Sequence, residues 1–205
     1  MLQIMLTLVL FVVLVLPMGT YLYHIASGQH TFADPVFDRI DGGIYRLCGI
    51  KRDESMDWKK YVLSLVATNA VMVFVGYLIL RLQALPLFNP NGIGGMEATL
   101  SLNTIISFMT NTNLQHYAGE SGLSYFSQMM VITFLMFTSA ATGYAACMAF
   151  CRGMTGQKRG MGNFYVDLIR IITRILLPIC IVMGLFLVFQ GVPQTLAQNV
   201  SVTTI

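Results

Sequence analysis

Long apolar runs without charges are the feature that most limits how this chain can fold. Several of them reach or approach the roughly 20 residues that cross a bilayer core about 30 Å thick, and the first covers residues 2–22. Charged residues make up only 10% of the 205 residues, whereas a soluble domain averages about 25%. Because this deficit extends along the whole chain, the sequence predicts an integral membrane protein and excludes a soluble domain with one anchor.

The positive charges indicate how the spans are oriented. Eleven of the twelve Lys and Arg residues lie in two clusters, at residues 39–60 and 152–174. Both clusters border apolar spans, so the positive-inside rule explains them better than nucleic-acid binding does, and it predicts that both are cytoplasmic. No Lys or Arg precedes the first run and no cleavage-site pattern closes it. We therefore expect an uncleaved first span with its N-terminus outside.

These rules predict an all-α membrane protein with four transmembrane spans. The spans are expected at residues 2–22, 61–80, 124–150 and 164–190. Residues 23–60 are expected to form a cytoplasmic loop, and residues 191–205 an extracellular tail.

Turn-forming residues punctuate the predicted cytoplasmic loop. Asp34-Pro35 and Asp41-Gly42-Gly43 are expected to mark turns. Residues 44–50 are expected to be a short amphipathic segment at the membrane interface.

Three charged residues share one face at the start of the last span. Asp167, Arg170 and Arg174 follow one another at helical spacing. The sequence leaves two interpretations open, cations that snorkel to the inner interface or a contact with a partner subunit.

One apolar segment is too short to be a span. Residues 98–109 would extend only about 18 Å as a helix, and a run of polar residues follows at once. A full crossing would move the second basic cluster outside, against the charge rule. The topology therefore favours a re-entrant half-helix followed by an extended loop. The alternative is that residues 98–121 form an extracellular loop with an interfacial helix.

A re-entrant loop of this kind predicts a cation site. Irregular backbone at membrane depth is tolerated where it lines a cavity, and its carbonyl oxygens can replace part of a cation's hydration shell. The short helix would also point its partially negative C-terminal end there. We expect Thr110, Asn111, Thr112 and Asn113 to lie beside a cation. Glu120 would add negative charge near the outer mouth.

Nothing in the sequence predicts catalysis within this chain or an organic cofactor. It contains no nucleophile–base pair, zinc-type spacing or phosphate-binding glycine loop. The four cysteines show no C-x-x-C pairing, and two of them, Cys147 and Cys151, fall on one helix face, as small packing residues do.

Several segments in register resemble the KdpA family, the potassium-binding subunit of the bacterial Kdp potassium-transporting P-type ATPase. The matching segments are Met56 to Tyr61, Leu87 to Pro90, Asn103-Thr104, Ser107-Phe108, Thr110 to Asn113, Gln115, Tyr117, Gly119-Glu120, Ser124 to Met129 and Gly162 to Arg170. The resemblance covers essentially the whole chain.

This resemblance implies a potassium-channel-like repeat of span, pore helix, filter loop and span. Residues 1–22 would be an additional first span, and residues 61–190 would hold the first repeat with the span that follows it. Thr110 to Asn113 would line the filter, with Gln115 just behind it. ATP hydrolysis would belong to a KdpB-like subunit, with KdpC-like and KdpF-like subunits completing a complex in the plasma membrane of a bacterium.

Length sets this chain apart from the family it resembles, whose members carry three further repeats. One filter loop supplies about a quarter of a coordination shell. We therefore expect a truncated member of the family that takes part in potassium translocation. The alternatives are a homotetrameric cation channel subunit and a non-functional or scaffolding fragment.

Overall fold

The computed structural model describes residues 1–32, 34–85, 88–155, 160–192 and 195–199, and within these ranges the chain is helical and has no strand. Its helices are α1 (Leu2–Ala26), α2 (Asp34–Cys48), α3 (Trp58–Arg81), α4 (Ala98–Met109), α5 (Gly119–Gly122), α6 (Tyr125–Met154) and α7 (Phe164–Phe189). Four of them, α1, α3, α6 and α7, are long and apolar enough to cross a membrane. The predicted all-α membrane fold with four spans is confirmed. Of the predicted tail at 191–205, residues 193, 194 and 200–205 lie outside the described ranges.

A helix occupies a stretch that was predicted to contain turns. α2 runs without a break from Asp34 to Cys48, so the predicted turns at Asp34-Pro35 and Asp41-Gly42-Gly43 are wrong. Pro35 is tolerated because an N–H group in the first helical turn has no partner to lose. Each glycine costs roughly 1 kcal/mol in a helix, and ion pairs to a neighbouring span offset that cost.

These ion pairs converge on Arg174, which lies in a π-helical turn of α7. Its side chain is fully buried and bonds to the carboxylates of Asp34, Asp38 and Asp41 on one face of α2. The Tyr21 hydroxyl of α1 donates to the Arg174 carbonyl at 2.7 Å. Arg174 is therefore paired within the chain. Its side chain does not extend to solvent as a snorkelling side chain would, and its charge is neutralised without a partner subunit.

A second, partly buried ion pair joins the ends of four helices. Arg152 of α6 bonds to Asp167 of α7 at 2.6 Å, and its other amino group donates to the Ala26 carbonyl at the end of α1. The Tyr61 hydroxyl of α3 donates to the same carboxylate at 2.9 Å. This end of the bundle is thus held together by charges that would be expensive to separate.

The short helix α4 packs into a groove between α3 and α6. Its buried residues are Ser101, Thr104, Ile105, Phe108 and Met109. Gly76 of α3 permits this approach, because a Cβ atom there would lie 2.8 Å from the Ile105 Cδ1 atom and 3.4 Å from a Val131 methyl group.

Replacing Gly76 with alanine is expected to lower the free energy of unfolding by about 1–3 kcal/mol, the usual range for overpacking a core. Ile105 is 0% exposed and cannot move aside without displacing its neighbours. The matched control is Gly143→Ala in α6, where a Cβ atom meets nothing within 4 Å. Denaturant unfolding of the full chain in lipid vesicles measures both, and equal stabilities would contradict the close contact.

The segment containing α4 begins and ends beside the C-terminal end of α3. Where it begins, the Met96 N–H donates to the Leu80 carbonyl at 3.1 Å. Where it ends, the buried Gln83 amide donates to the Gly122 carbonyl at 2.9 Å and accepts from the Ser124 N–H at 3.3 Å. The chain between Met96 and Ser124 therefore leaves and returns at one end of the bundle.

Candidate functional site

The loop after α4 is shaped by the way that helix ends. Thr110 caps the helix, and Asn111 follows with a φ of 59°. The Thr112 N–H donates to the Ser107 carbonyl at 2.9 Å and the Asn111 N–H to the Phe108 carbonyl at 3.3 Å. This is the Schellman pattern, in which a left-handed residue turns the chain back over the last helical carbonyls.

Ser107 then holds the next part of the loop. Its carbonyl also accepts from the Asn113 N–H at 3.3 Å, and its hydroxyl oxygen accepts from the Leu114 N–H at 2.7 Å. Asn113 is the second left-handed residue, with a φ of 56°. Five consecutive N–H groups, from Thr110 to Leu114, are thereby donated back to the end of α4.

The carbonyl groups of the same loop are used differently. In the part of the chain that the structure describes, the carbonyl oxygens of Thr110 to Asn113 accept no hydrogen bond. The side chains bond among themselves, with Thr110 Oγ1 and Thr112 Oγ1 2.9 Å apart, and Asn113 Nδ2 3.5 Å from Asn111 Oδ1. All four residues are exposed. The loop therefore exposes four uncharged backbone carbonyl oxygens that accept no hydrogen bond from the described residues.

The structure brings Thr110 to Asn113 together but leaves the two other predicted residues apart from them. Gln115 is exposed. Burial raises the pKa of the Tyr117 phenol, and the Gln115 side chain partly opposes that rise. Glu120 is exposed in α5, and its backbone carbonyl accepts from the Asn199 side chain at 3.2 Å. Neither residue hydrogen bonds to the four loop residues.

The charge around the loop comes from the backbone. Thr110 stands at the C-terminal end of α4, where the aligned peptide dipoles of the helix produce a partial negative charge. Among the residues described, no group of His, Cys, Asp and Glu side chains could hold a metal ion. Uncharged carbonyl oxygens beside a helix C-terminus can replace part of the hydration shell of a cation.

Sequence reasoning missed the residues that support the loop. Ser107 matched the family pattern, but no spacing rule marked its hydroxyl as the acceptor for Leu114. Gln83 is 4% exposed and joins the Gly94 carbonyl to that of Gly122. A lone glutamine after a span carries no signal of its own, because its partners lie 11 and 39 residues away.

Known proteins resemble this chain over nearly its whole length. The family profile KdpA, described as potassium-transporting ATPase A subunit, matches residues 5–205. A "Potassium-transporting ATPase potassium-binding subunit" from Clostridium acetobutylicum is 56% identical over 204 residues, which are 100% of this chain and 36% of that protein.

Two further relatives have the same printed name. The protein from Caldanaerobacter subterraneus is 50% identical over 95% of this chain and 35% of its own length. The protein from Staphylococcus haemolyticus is 45% identical over 99% of this chain and 36% of its own length. The chain spans about a third of the length of the curated relatives it matches. It belongs to the KdpA family, the A subunits of potassium-transporting ATPases.

Proposed function

We propose that this chain binds potassium and lines part of its path through an ATP-driven import complex. The observation that carries the proposal is the one-sided hydrogen bonding of the loop after α4. The N–H groups of Thr110 to Leu114 donate back to the helix, while the carbonyls of Thr110 to Asn113 accept nothing from the described chain. Such oxygens can replace part of the hydration shell of a monovalent cation.

The proposed loop lies at membrane depth on a re-entrant segment. α4 has 12 residues, about 18 Å, and both ends of its segment bond beside the end of α3. A segment that turned back inside a bilayer would need its backbone N–H groups satisfied locally, as they are here. In this arrangement residues 1–22 form an additional first span with its N-terminus outside, and residues 23–60 form a cytoplasmic loop. Residues 61–190 form the repeat together with the span that follows it, and residues 191–205 form an outer tail.

A single loop supplies too few oxygens for a complete potassium site. Selectivity filters of this kind use four loops around one axis, and the curated relatives are about three times as long as this chain. We propose that segments beyond this chain complete the ring, and that Gln115 stands behind it. The proposal includes a bacterial plasma membrane location and ATP hydrolysis in a KdpB-like partner, with KdpC-like and KdpF-like subunits in the complex.

Replacing Gln115 with arginine is expected to weaken the potassium affinity of transport, because a fixed positive charge would stand near the ion. The measurement is uptake against external potassium concentration, in cells whose high-affinity uptake depends on this protein and its partner subunits. The matched variant Gln115→Glu has a similar shape and the opposite charge, so it should retain affinity or gain some.

The paired variants separate charge from shape. Equal losses in both would mean that the amide itself is required, and unchanged affinity in both would remove Gln115 from the site. If the purified chain alone formed tetramers that pass potassium, the function would be that of a homotetrameric channel instead.

A further inference from the structure

Helix α2 buries its acidic face and exposes its apolar face, which is the reverse of a helix on the surface of a soluble protein. Such a helix buries its apolar stripe and exposes its charges. In α2 the buried residues are Asp34, Asp41 and Tyr45, which face Arg174 and the spans around it. The apolar side chains of Val36, Ile40 and Leu47 are 65%, 50% and 88% exposed on the other side.

The outward face of α2 is also basic. Arg39 and Arg46, seven residues apart, are exposed beside the apolar stripe. The acidic residues of this helix, Asp34, Asp38 and Asp41, all bond inward to Arg174. The exposed face therefore combines apolar side chains with two arginines, while the carboxylates of this helix are bonded to Arg174 and only Asp38 among them is partly exposed.

The hydrogen bond between Tyr21 and Arg174 places α2 at the edge of the membrane. Arg174 contacts α2 directly, and its carbonyl accepts from the Tyr21 hydroxyl, so α2 lies level with Tyr21 of α1. From Leu2 to Tyr21, α1 rises about 30 Å, the full thickness of a bilayer core. The exposed Phe32 ring stacks on Tyr21 at the same level, with the ring centroids 5.1 Å apart.

We propose that α2 is an interfacial helix that binds anionic phospholipids. Val36, Ile40 and Leu47 enter the outer part of the acyl-chain region, and Arg39 and Arg46 bond to headgroup phosphates. Apolar side chains flanked by cations on one helix face are what binding at a membrane surface requires, and an anionic leaflet complements the two exposed arginines. This inference does not depend on the proposed potassium path.

Quenching of a single tryptophan by brominated lipids tests the depth of α2. The chain contains one tryptophan, Trp58, so the full protein carries Trp58→Phe together with either Ile40→Trp or Leu47→Trp. In vesicles whose lipids are brominated near the headgroup, both variants should be quenched. The control is Asp53→Trp in the exposed polar turn after α2, which should be quenched by aqueous iodide instead.

The arginines are tested by comparing two brominated lipids. Brominated phosphatidylglycerol should quench Ile40→Trp more than brominated phosphatidylcholine does, and Arg39→Gln with Arg46→Gln should reduce that preference, roughly fivefold for each arginine. Iodide quenching of Ile40→Trp would overturn the proposal, because α2 would face water. Shielding from iodide and from both lipids would also overturn it, because a protein partner would cover α2. Equal quenching by the two lipids would overturn the anionic preference.

Discussion

Replacing Arg174 with methionine is expected to lower the free energy of unfolding by about 3–5 kcal/mol, the usual cost of removing one partner from a buried ion pair. Arg174 bonds to Asp34, Asp38 and Asp41 together. Without it, the buried carboxylates of Asp34 and Asp41, 5% and 3% exposed, would lose their guanidinium partner, and Asp34 would keep only its contacts with His30 and Thr31. Denaturant unfolding of the full chain in lipid vesicles measures the loss.

Two further variants show whether the loss comes from unpaired charge. Arg46→Met removes an exposed arginine from α2 and, in vesicles of phosphatidylcholine without anionic lipid, should change stability by no more than about 0.5 kcal/mol. Adding Asp34→Asn and Asp41→Asn to Arg174→Met should recover part of the stability, since neutral amides are less costly to bury. A loss in Arg174→Met no larger than in Arg46→Met would contradict the central role of this ion cluster.

The pH dependence of stability in acid tests the same ion cluster in a second way. Burial would raise the pKa of Asp34, but hydrogen bonds from Thr31 and from the Arg174 guanidinium outweigh it and lower that pKa to about 2. Because the folded pKa is below the unfolded one, this carboxylate stabilises the fold above its ordinary pKa. That contribution is lost as the pH falls from about 4 through 2.

Replacing both Asn111 and Asn113 with valine is expected to weaken potassium affinity about a hundredfold. Both residues have positive φ angles, and a β-branched residue at each of these positions costs roughly 1–2 kcal/mol. Because each tenfold change in affinity corresponds to about 1.4 kcal/mol, two such costs correspond to about a hundredfold. The backbone would move to relieve this strain and turn the carbonyls away from the ion. Potassium-dependent uptake by the complete complex provides the measurement.

The double glycine variant is the matched control. Glycine adopts positive φ without steric cost, so Asn111→Gly with Asn113→Gly should keep the affinity within a few-fold of the original. A loss as large as that of the valine pair would mean that the amide side chains, and not the carbonyls, hold the ion. Unchanged affinity in both double variants would remove this loop from the potassium path.

Features that depend on neighbouring residues could be predicted from the sequence, whereas features that depend on distant contacts could not. The spans follow from apolar length measured against bilayer thickness, and α4 was predicted at residues 98–109, where the structure has it. α2 was missed because Pro35, Gly42 and Gly43 are typical of turns. Their local preference is overridden by ion pairs to a residue more than 130 positions away.

The sequence by itself determined the membrane fold, the four spans and the position of the polar loop, since hydropathy and the length of a run are properties of consecutive residues. The tertiary structure decided how that loop is held, because Ser107 and the left-handed Asn111 and Asn113 act only when the end of α4 is in place. It also decided that Arg174 is a buried partner of α2. Pairing of this kind depends on which distant groups meet, and a linear sequence does not contain that geometry.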